Sequence, residues 1–371
     1  MISSPFLFDR RLIARFDWFL FFVVLFIVFF GILNLYSASV SIHALGGIYK
    51  KQLSWLFLGF FLLFFGSFLN YSYYEQLAYF LFLCTILLLI LVLFQGKIVS
   101  GSRRWLSFGL FNVQPSEFIK LSLIIILAKL FKNRFAHGGV GFPSLLLPGC
   151  FLIISFFLIF LQPDLGSALL LVLIFFSLVF FLRVRFRVLF LLFFCAFLFF
   201  PLSWNYLLKD YQKSRVLHFL NPSLDPLGSG YQVFQSKIAI GSGKFFGKGY
   251  LKGTQSQLNF VPEKYTDFVF SVFCEEWGFV GAVFLGFLYF TLLFRFLFIA
   301  SRAKNSFGQI LGFGITALFF WQIIINIGMT IGLLPTVGVT LPLFSYGGSS
   351  LAVSLFCIGI MINIYIQKHI F

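Results

Sequence analysis

Long uncharged apolar runs, separated by short polar segments, make up most of the chain. Six of these runs approach the length of about 20 residues that crosses a bilayer as a helix. They lie at residues 18–41, 53–70, 77–94, 145–161, 165–182 and 188–208. A seventh run extends from about residue 268 to 294, with Glu275 and Glu276 as its only charges. Residues 305–367 are uncharged and long enough for two more helices, separated by the Pro- and Gly-rich piece 334–350.

One further span is less obvious, because residues 121–128 are uncharged but too few to cross. The segment reaches spanning length only if it begins near Pro115 and takes Glu117 and Lys120 into the membrane. Pro115 suits the first turn of a helix, so a start here is favoured. The pattern therefore predicts an all-α, polytopic membrane protein of about ten transmembrane helices, forming a single membrane domain over residues 1–371.

Composition supports this prediction and excludes other classes. Hydrophobic residues make up 60% and charged residues 10%, against about half and a quarter in soluble domains. The net charge of +16 does not indicate nucleic-acid binding, because the basic residues are scattered between apolar runs. The five cysteines lie in apolar runs without metal-ligand spacing. The first run, uncharged over 18–49, is too long for a cleavable signal.

Short segments on one side of the predicted spans, including the N-terminal one, carry most of the Lys and Arg residues. The positive-inside rule therefore places both termini in the cytoplasm and the long loop 205–266 outside. This loop is net basic, with turns expected at 221–222 and 225–226. Residues 231–240 are predicted to form a short amphipathic helix on the membrane.

Charged residues inside predicted spans are functional candidates, because they are costly to keep in a bilayer. Glu117 and Lys120 lie three residues apart, so an internal ion pair and a substrate role are both open. Asp164 lies between two spans, where capping of the next helix is the favoured interpretation. For Glu275 and Glu276, a hydrogen bond to a neighbouring helix is favoured.

Asp267 lies where the basic loop meets an apolar helix. It is one of only eleven acidic residues, and Glu263 precedes it by four positions. A helix cap is one explanation, but the many basic residues before it favour a chemical role. Arg103, Arg104 and Trp105 suit either the aromatic belt of an interface or a clamp for a phosphate and a ring. The four dispersed histidines and the loose glycine-rich pieces at 241–249 indicate neither a triad nor a nucleotide site.

Several long motifs together resemble the SEDS family (shape, elongation, division and sporulation proteins) over nearly the whole chain. They are RWL at 104–106, QPSEFIK at 114–120, QPDLG at 162–166, FLNP at 219–222, GYQ at 230–232, QSKIAIGSG at 235–243, GKG at 247–249, GTQ at 253–255, PEKYTDF at 262–268, GLLP at 332–335 and LPLFSYGGSS at 341–350. The IAIGSG and GTQ pieces and the short cytoplasmic ends resemble the elongation branch. Tyr265 stands where the family usually has His, and Lys244 where it usually has Gly.

The resemblance implies a peptidoglycan glycosyltransferase of the bacterial cytoplasmic (inner) membrane, with its active site on the outer face. Its substrate would be lipid II, a disaccharide-pentapeptide on undecaprenyl pyrophosphate. Its partners would be a class B penicillin-binding protein transpeptidase and other membrane proteins of the elongation complex. Alternative functions are a lipid II flippase or transporter, a division-branch enzyme, and a non-catalytic scaffold of the cell-wall machinery.

An inverting sugar transfer needs one base and no nucleophile, and Asp267 is the candidate base. The leaving pyrophosphate needs positive charge, from Arg and Lys side chains or from a divalent cation such as Mg²⁺ or Mn²⁺. No nucleotide is needed, because the pyrophosphate bond supplies the energy. The candidate substrate-binding residues are Arg104, Trp105, Glu117, Lys120, Asp164, Lys237, Lys248 and Glu263.

Overall fold

The structure is a computed structural model that describes residues 15–40, 47–99, 102–109, 111–135, 141–182, 210–220 and 229–368, and the single positions 190, 201 and 205. The predicted span 188–208 and the predicted turns at 221–226 lie outside the continuous ranges. The first six helices are α1 (Trp18–Val40), α2 (Ile48–Phe68), α3 (Ser72–Gln95), α4 (Pro115–Phe135), α5 (Pro143–Leu161) and α6 (Leu165–Phe181). The others are α7 (Asp210–Leu220), α8 (Ser229–Ser242), α9 (Thr254–Gln257), α10 (Val269–Ser301), α11 (Ser306–Thr330) and α12 (Gly348–Lys368).

The described part of the chain confirms the all-α membrane architecture. Seven of its helices are long and apolar enough to cross a membrane: α1, α2, α3, α5, α10, α11 and α12. Helix α6 is apolar but has only 17 residues. Helix α4 begins at Pro115 as predicted, and its 21 residues include Glu117 and Lys120. The 334–350 segment separates α11 from α12, and α8 forms where the short amphipathic helix was predicted.

Helix α12 lies at the centre of the bundle, and most of its side chains are buried. It packs closely along α2 because small residues let the two backbones approach. Gly59 of α2 faces Leu355, and Gly359 of α12 lies against the backbone of Leu63. Membrane helices associate mainly through such close packing, since lipid removes the hydrophobic drive between them.

Three short strands were not predicted. They are β1 (Lys97–Val99), β2 (Ser102–Phe108) and β3 (Phe111–Val113), which form an antiparallel sheet in chain order between α3 and α4. Strand β2 carries Arg104 and Trp105 and packs against both neighbouring helices. This sheet fixes the Arg-Trp pair close to the start of α4.

Helix α10 is interrupted at Gly278, where φ is +66° and ψ is −162°. Segment 243–249 fills the break with its backbone. The N–H groups of Lys248 and Gly249 donate to the carbonyls of Glu275 and Glu276, each at 3.0 Å. The glycine-rich pieces of the loop therefore serve a helix break. The Glu276 side chain accepts a hydrogen bond from a serine of α1, which confirms the predicted bond to a neighbouring helix.

We expect Gly278→Ala to destabilise the fold, because only glycine readily adopts this backbone conformation, and strain of this kind costs about 1–3 kcal/mol. Gly286→Ala in the same helix is the matched control, since a Cβ there meets nothing within 4 Å. Thermal unfolding in detergent measures both. Equal melting temperatures for the two variants would contradict the structural role of the break.

Candidate active site

The 262–268 segment folds into a tight turn just before α10. The carbonyl of Glu263 accepts from the N–H groups of Thr266, Asp267 and Phe268, each at 3.2 Å, and Glu263 has a left-handed φ of +48°. Phe268 occupies the cap position of α10, without a side-chain capping bond. Asp267 is therefore not the helix cap, and that alternative is wrong.

The 341–350 motif holds this turn from one side. The N–H of Tyr346 donates to the carbonyl of Tyr265 at 2.8 Å. The Ser345 hydroxyl donates to the carbonyl of Thr266 at 2.7 Å. Two motifs that are far apart in the chain are thus joined by hydrogen bonds to consecutive backbone carbonyls of the turn.

Two asparagines hold the turn from the bundle side. Asn326 of α11 is fully buried, and its Nδ2 donates to the carbonyls of Asp267 (3.1 Å) and Val339 (2.8 Å). Asn34 of α1 donates to the carbonyl of Val269 at 3.0 Å. These amides explain why polar residues interrupt otherwise apolar helices.

Lys264 anchors the turn to the loop before it. Its side chain is buried, and its Nζ donates to the Ser256 carbonyl at 2.5 Å and to Asn259 Oδ1 at 2.7 Å. Burial lowers the pKa of Lys264 to about 8. Lys264 therefore links the 262–268 turn to the segment that contains Ser256 and Asn259.

A polar cavity of about 260 Å³ opens beside Asp267. It is lined by Arg215, Gln232, Asp267, Phe268, Met329, Thr336 and Gly338. Arg215 comes from α7 and donates from Nη1 to the carbonyl of Thr336 at 3.1 Å. A carboxylate, a guanidinium, an amide and a hydroxyl therefore converge on one small space, which suits a hydroxylated or phosphorylated ligand.

The surroundings of Asp267 favour a carboxyl group that can accept a proton. The pKa of Asp267 is raised to about 6, mainly by burial and in smaller part by the nearby Glu263 carboxylate. The positive charges of Arg215 and Arg104 oppose this rise, while Asp164 adds to it. A pKa near 6 leaves the group ionised at neutral pH and still basic enough to take a proton in a reaction.

Arg104 and Asp164 form one unit, although they lie on different segments. Arg104 donates from Nε to the carbonyl of Gln162 at 3.3 Å, bonds the carbonyl of Pro163, and lies 3.7 Å from Asp164 Oδ1. Asp164 also caps α6, accepting from the N–H of Ser167 at 3.3 Å, as predicted. Arg104 therefore clamps the α5–α6 turn near the candidate site.

Glu117 and Lys120 form an ion pair, one of the two interpretations that their spacing left open, with Lys120 Nζ 2.6 Å from Glu117 Oε1 and both side chains buried. This ion pair neutralises itself inside α4, which removes most of the cost of carrying charge there.

Trp105 is half-buried on β2, opposite Lys97 of β1.

Neither of the two candidate loop lysines lines the cavity. Lys248 pairs with the buried Glu275 at 2.7 Å and bonds the Thr254 hydroxyl at 2.7 Å. Lys237 is exposed on α8, beside Gly332. Arg215, Gln232 and Thr336 were missed by sequence reasoning. Arg215 is one of several basic residues in the loop, and only the fold distinguishes it from the others.

The cell cycle protein profile that covers FtsW, RodA and SpoVE matches residues 17–370.

The chain belongs to this family.

Individual relatives agree with this assignment. The chain is 40% identical to the Escherichia coli K12 peptidoglycan glycosyltransferase MrdB over 342 residues, which cover 91% of each protein. It also resembles a chain from the solved structure of a peptidoglycan synthase complex, which is described as coordinating polymerization and crosslinking. The TM-score is 0.82 and the identity 36%, over 96% of this chain and 99% of the other. The crystal structure of Thermus thermophilus RodA matches with a TM-score of 0.70 and 31% identity, over 95% and 98% of the two chains.

We expect Asn326→Leu to loosen the 262–268 turn, because the carbonyls of Asp267 and Val339 lose their donor, and an unsatisfied buried group costs about 1–3 kcal/mol. Limited proteolysis of the turn and thermal unfolding measure the effect. Thr316→Val in the same helix is the control, since the Thr316 hydroxyl bonds only within the helix, to the carbonyl of Gly312. A turn in Asn326→Leu that resists protease as well as wild type does would contradict the bracing role.

Proposed function

We propose that this family member polymerises lipid II into glycan strands during cell elongation, with Asp267 as the general base. It is a peptidoglycan glycosyltransferase, as its MrdB and RodA relatives are named. The observation that carries the role of Asp267 is its place: a carboxylate that caps no helix, is held rigidly through its backbone, and lines a polar cavity with Arg215.

The chemistry requires one proton acceptor. The 4-hydroxyl of the acceptor GlcNAc attacks C1 of the donor MurNAc, undecaprenyl pyrophosphate leaves, and the configuration at C1 inverts. Asp267 takes the hydroxyl proton as the new bond forms. Such a base typically contributes about 10²–10⁴-fold to the rate.

Arg215 is our candidate for binding the leaving pyrophosphate, because its guanidinium lines the same cavity as the base. Arg104 supports it from nearby, while its donors mainly hold the α5–α6 turn. Lys120 and Lys248 are each paired with a glutamate and serve the scaffold. A flippase would need charged residues along a pathway for its substrate. Here Glu117 is instead paired with Lys120, and Asp164 caps α6.

A divalent cation fits this site only with help from the substrate. The described residues contain no group of three or more His, Cys, Asp or Glu side chains placed to hold a metal. Mg²⁺ often binds through one or two carboxylates together with substrate phosphates, and Glu263 would supply one such carboxylate while Asp267 stays free to act as the base. Mg²⁺ or Mn²⁺ held there would offset the charge of the leaving pyrophosphate.

The cellular setting follows from the same proposal. The chain is a multi-pass membrane protein, and we place it in the bacterial cytoplasmic membrane with both termini inside and the cavity on the outer face. The similar synthase-complex chain supports a class B penicillin-binding protein as partner, which would crosslink the new glycan. Other elongation-complex membrane proteins complete the proposed set of partners.

We expect Asp267→Asn to abolish polymerisation of labelled lipid II, because the amide cannot accept the proton, while the melting temperature stays close to wild type. Polymer on a gel, with and without the transpeptidase, is the readout, and it also separates an enzyme from a flippase or a scaffold. A wild-type rate in Asp267→Asn would refute the assignment of the base.

Trp105→Ala and Glu117→Ala should also impair polymerisation. Glu117→Ala should in addition lower stability, because Lys120 stays buried without its partner.

The pH dependence of polymerisation gives an independent check. The base acts only when ionised, so the rate should rise with pH through a midpoint near 6 and then level off. Glu263→Gln removes a negative neighbour and should move the midpoint to lower pH. Arg215→Gln removes a positive neighbour and should move it to higher pH. If both variants moved the midpoint in the same direction, or if neither moved it, the ionisation of Asp267 would not be what sets the rise of the rate with pH.

A further inference from the structure

The break in α10 divides it into two parts of different character. Its 33 residues correspond to about 50 Å of helix, against a hydrocarbon core of about 30 Å. Residues 269–276, before the break, are all buried within the protein. After Gly278, large apolar side chains are exposed: 58% for Phe279 and 63% for Phe287. The 23 residues from 279 to 301 are alone long enough to cross, so the break marks the level where α10 enters the bilayer.

Segment 243–247 lies at this level. The N–H groups of Phe279 and Val280 donate to the carbonyls of Lys244 and Phe245, at 3.0 and 3.1 Å. Phe245 is 57% and Phe246 81% exposed. The Phe245 ring lies 5.3 Å from that of Phe246 and 5.6 Å from that of Phe279, between centroids. The two phenylalanines therefore continue the exposed apolar face of α10 beyond the helix itself.

We propose that Phe245 and Phe246 form a membrane anchor that inserts into the interface of the bilayer leaflet facing the loop. Aromatic side chains favour this zone, and two adjacent exposed rings are poorly suited to water. Lys244, which is also exposed, directly precedes the two rings in the chain and suits lipid phosphates. The ligand of this surface is thus the phospholipid bilayer, and its apolar part is continuous with a helix face of membrane-spanning length.

The anchor would set the height of the candidate active site above the bilayer. Segment 243–249 is bonded through its backbone to Glu275 and Glu276, in the part of α10 that begins two residues after Asp267. A substrate whose diphosphate is tied to a membrane lipid must meet the base at a fixed depth. This consequence rests on the proposed function, whereas the anchor itself does not.

Depth-dependent quenching tests the anchor in the purified full-length chain in nanodiscs. A fluorescent amino acid is placed at position 246, where the side chain is 81% exposed. Reference labels replace Phe287, on the exposed face of α10, and Asn133, exposed at the charged end of α4. Quenchers are phosphatidylcholines brominated at shallow or deep chain positions, and aqueous iodide.

We expect the label at 246 to be quenched more strongly by shallow than by deep bromines, and several-fold less by iodide than the label at 133. Quenching at 246 that matches position 133, strong with iodide and absent with bromines, would overturn the anchor and leave the surface to a protein partner. The result does not depend on catalysis, so failure of the anchor and failure of the proposed function can be told apart.

Discussion

The turn that carries Asp267 is held by hydrogen bonds to its own backbone. Irregular backbone at the edge of a membrane is tolerated only where its polar groups are satisfied by the protein. The carbonyls between residues 265 and 269 find donors in Tyr346, Ser345, Asn326 and Asn34. Because these donors come from α1, α11 and the segment before α12, the position of the turn depends on the assembly of the whole bundle.

The same requirement for satisfied backbone groups is met at two places along helix α10. Its break at Gly278 frees backbone groups, and the 243–249 segment satisfies them. Its first residues follow the Asp267 turn, and Glu275 accepts from the N–H groups of Gln255 and Ser256, at 2.8 and 3.1 Å. The loop before the turn and the loop that fills the break are thus tied to one rigid element. A loop fixed in this way can position a base accurately, since well-supported groups keep their geometry.

Sequence reasoning predicted the parts of this structure that depend on local pattern. Apolar run length gave the helices, three-residue spacing gave the Glu117–Lys120 pair, and chain context gave the Asp164 cap. It missed features that depend on tertiary contact: the three strands, the cavity role of Arg215 and the pairing of Lys248 with Glu275. A basic residue in a long loop carries no local signal of its partner, so composition alone cannot separate Arg215 from Lys248.

The role of Asp267 as the base is tested most directly by a structure with an unreactive lipid II analogue bound in the acceptor position. We expect a carboxylate oxygen of Asp267 to lie within about 2.6–3.2 Å of the GlcNAc 4-hydroxyl, the reach required of a general base. Arg215 should contact the diphosphate of a bound donor. An acceptor hydroxyl bonded instead to another carboxylate, such as Glu117, with Asp267 beyond hydrogen-bond reach, would contradict this role.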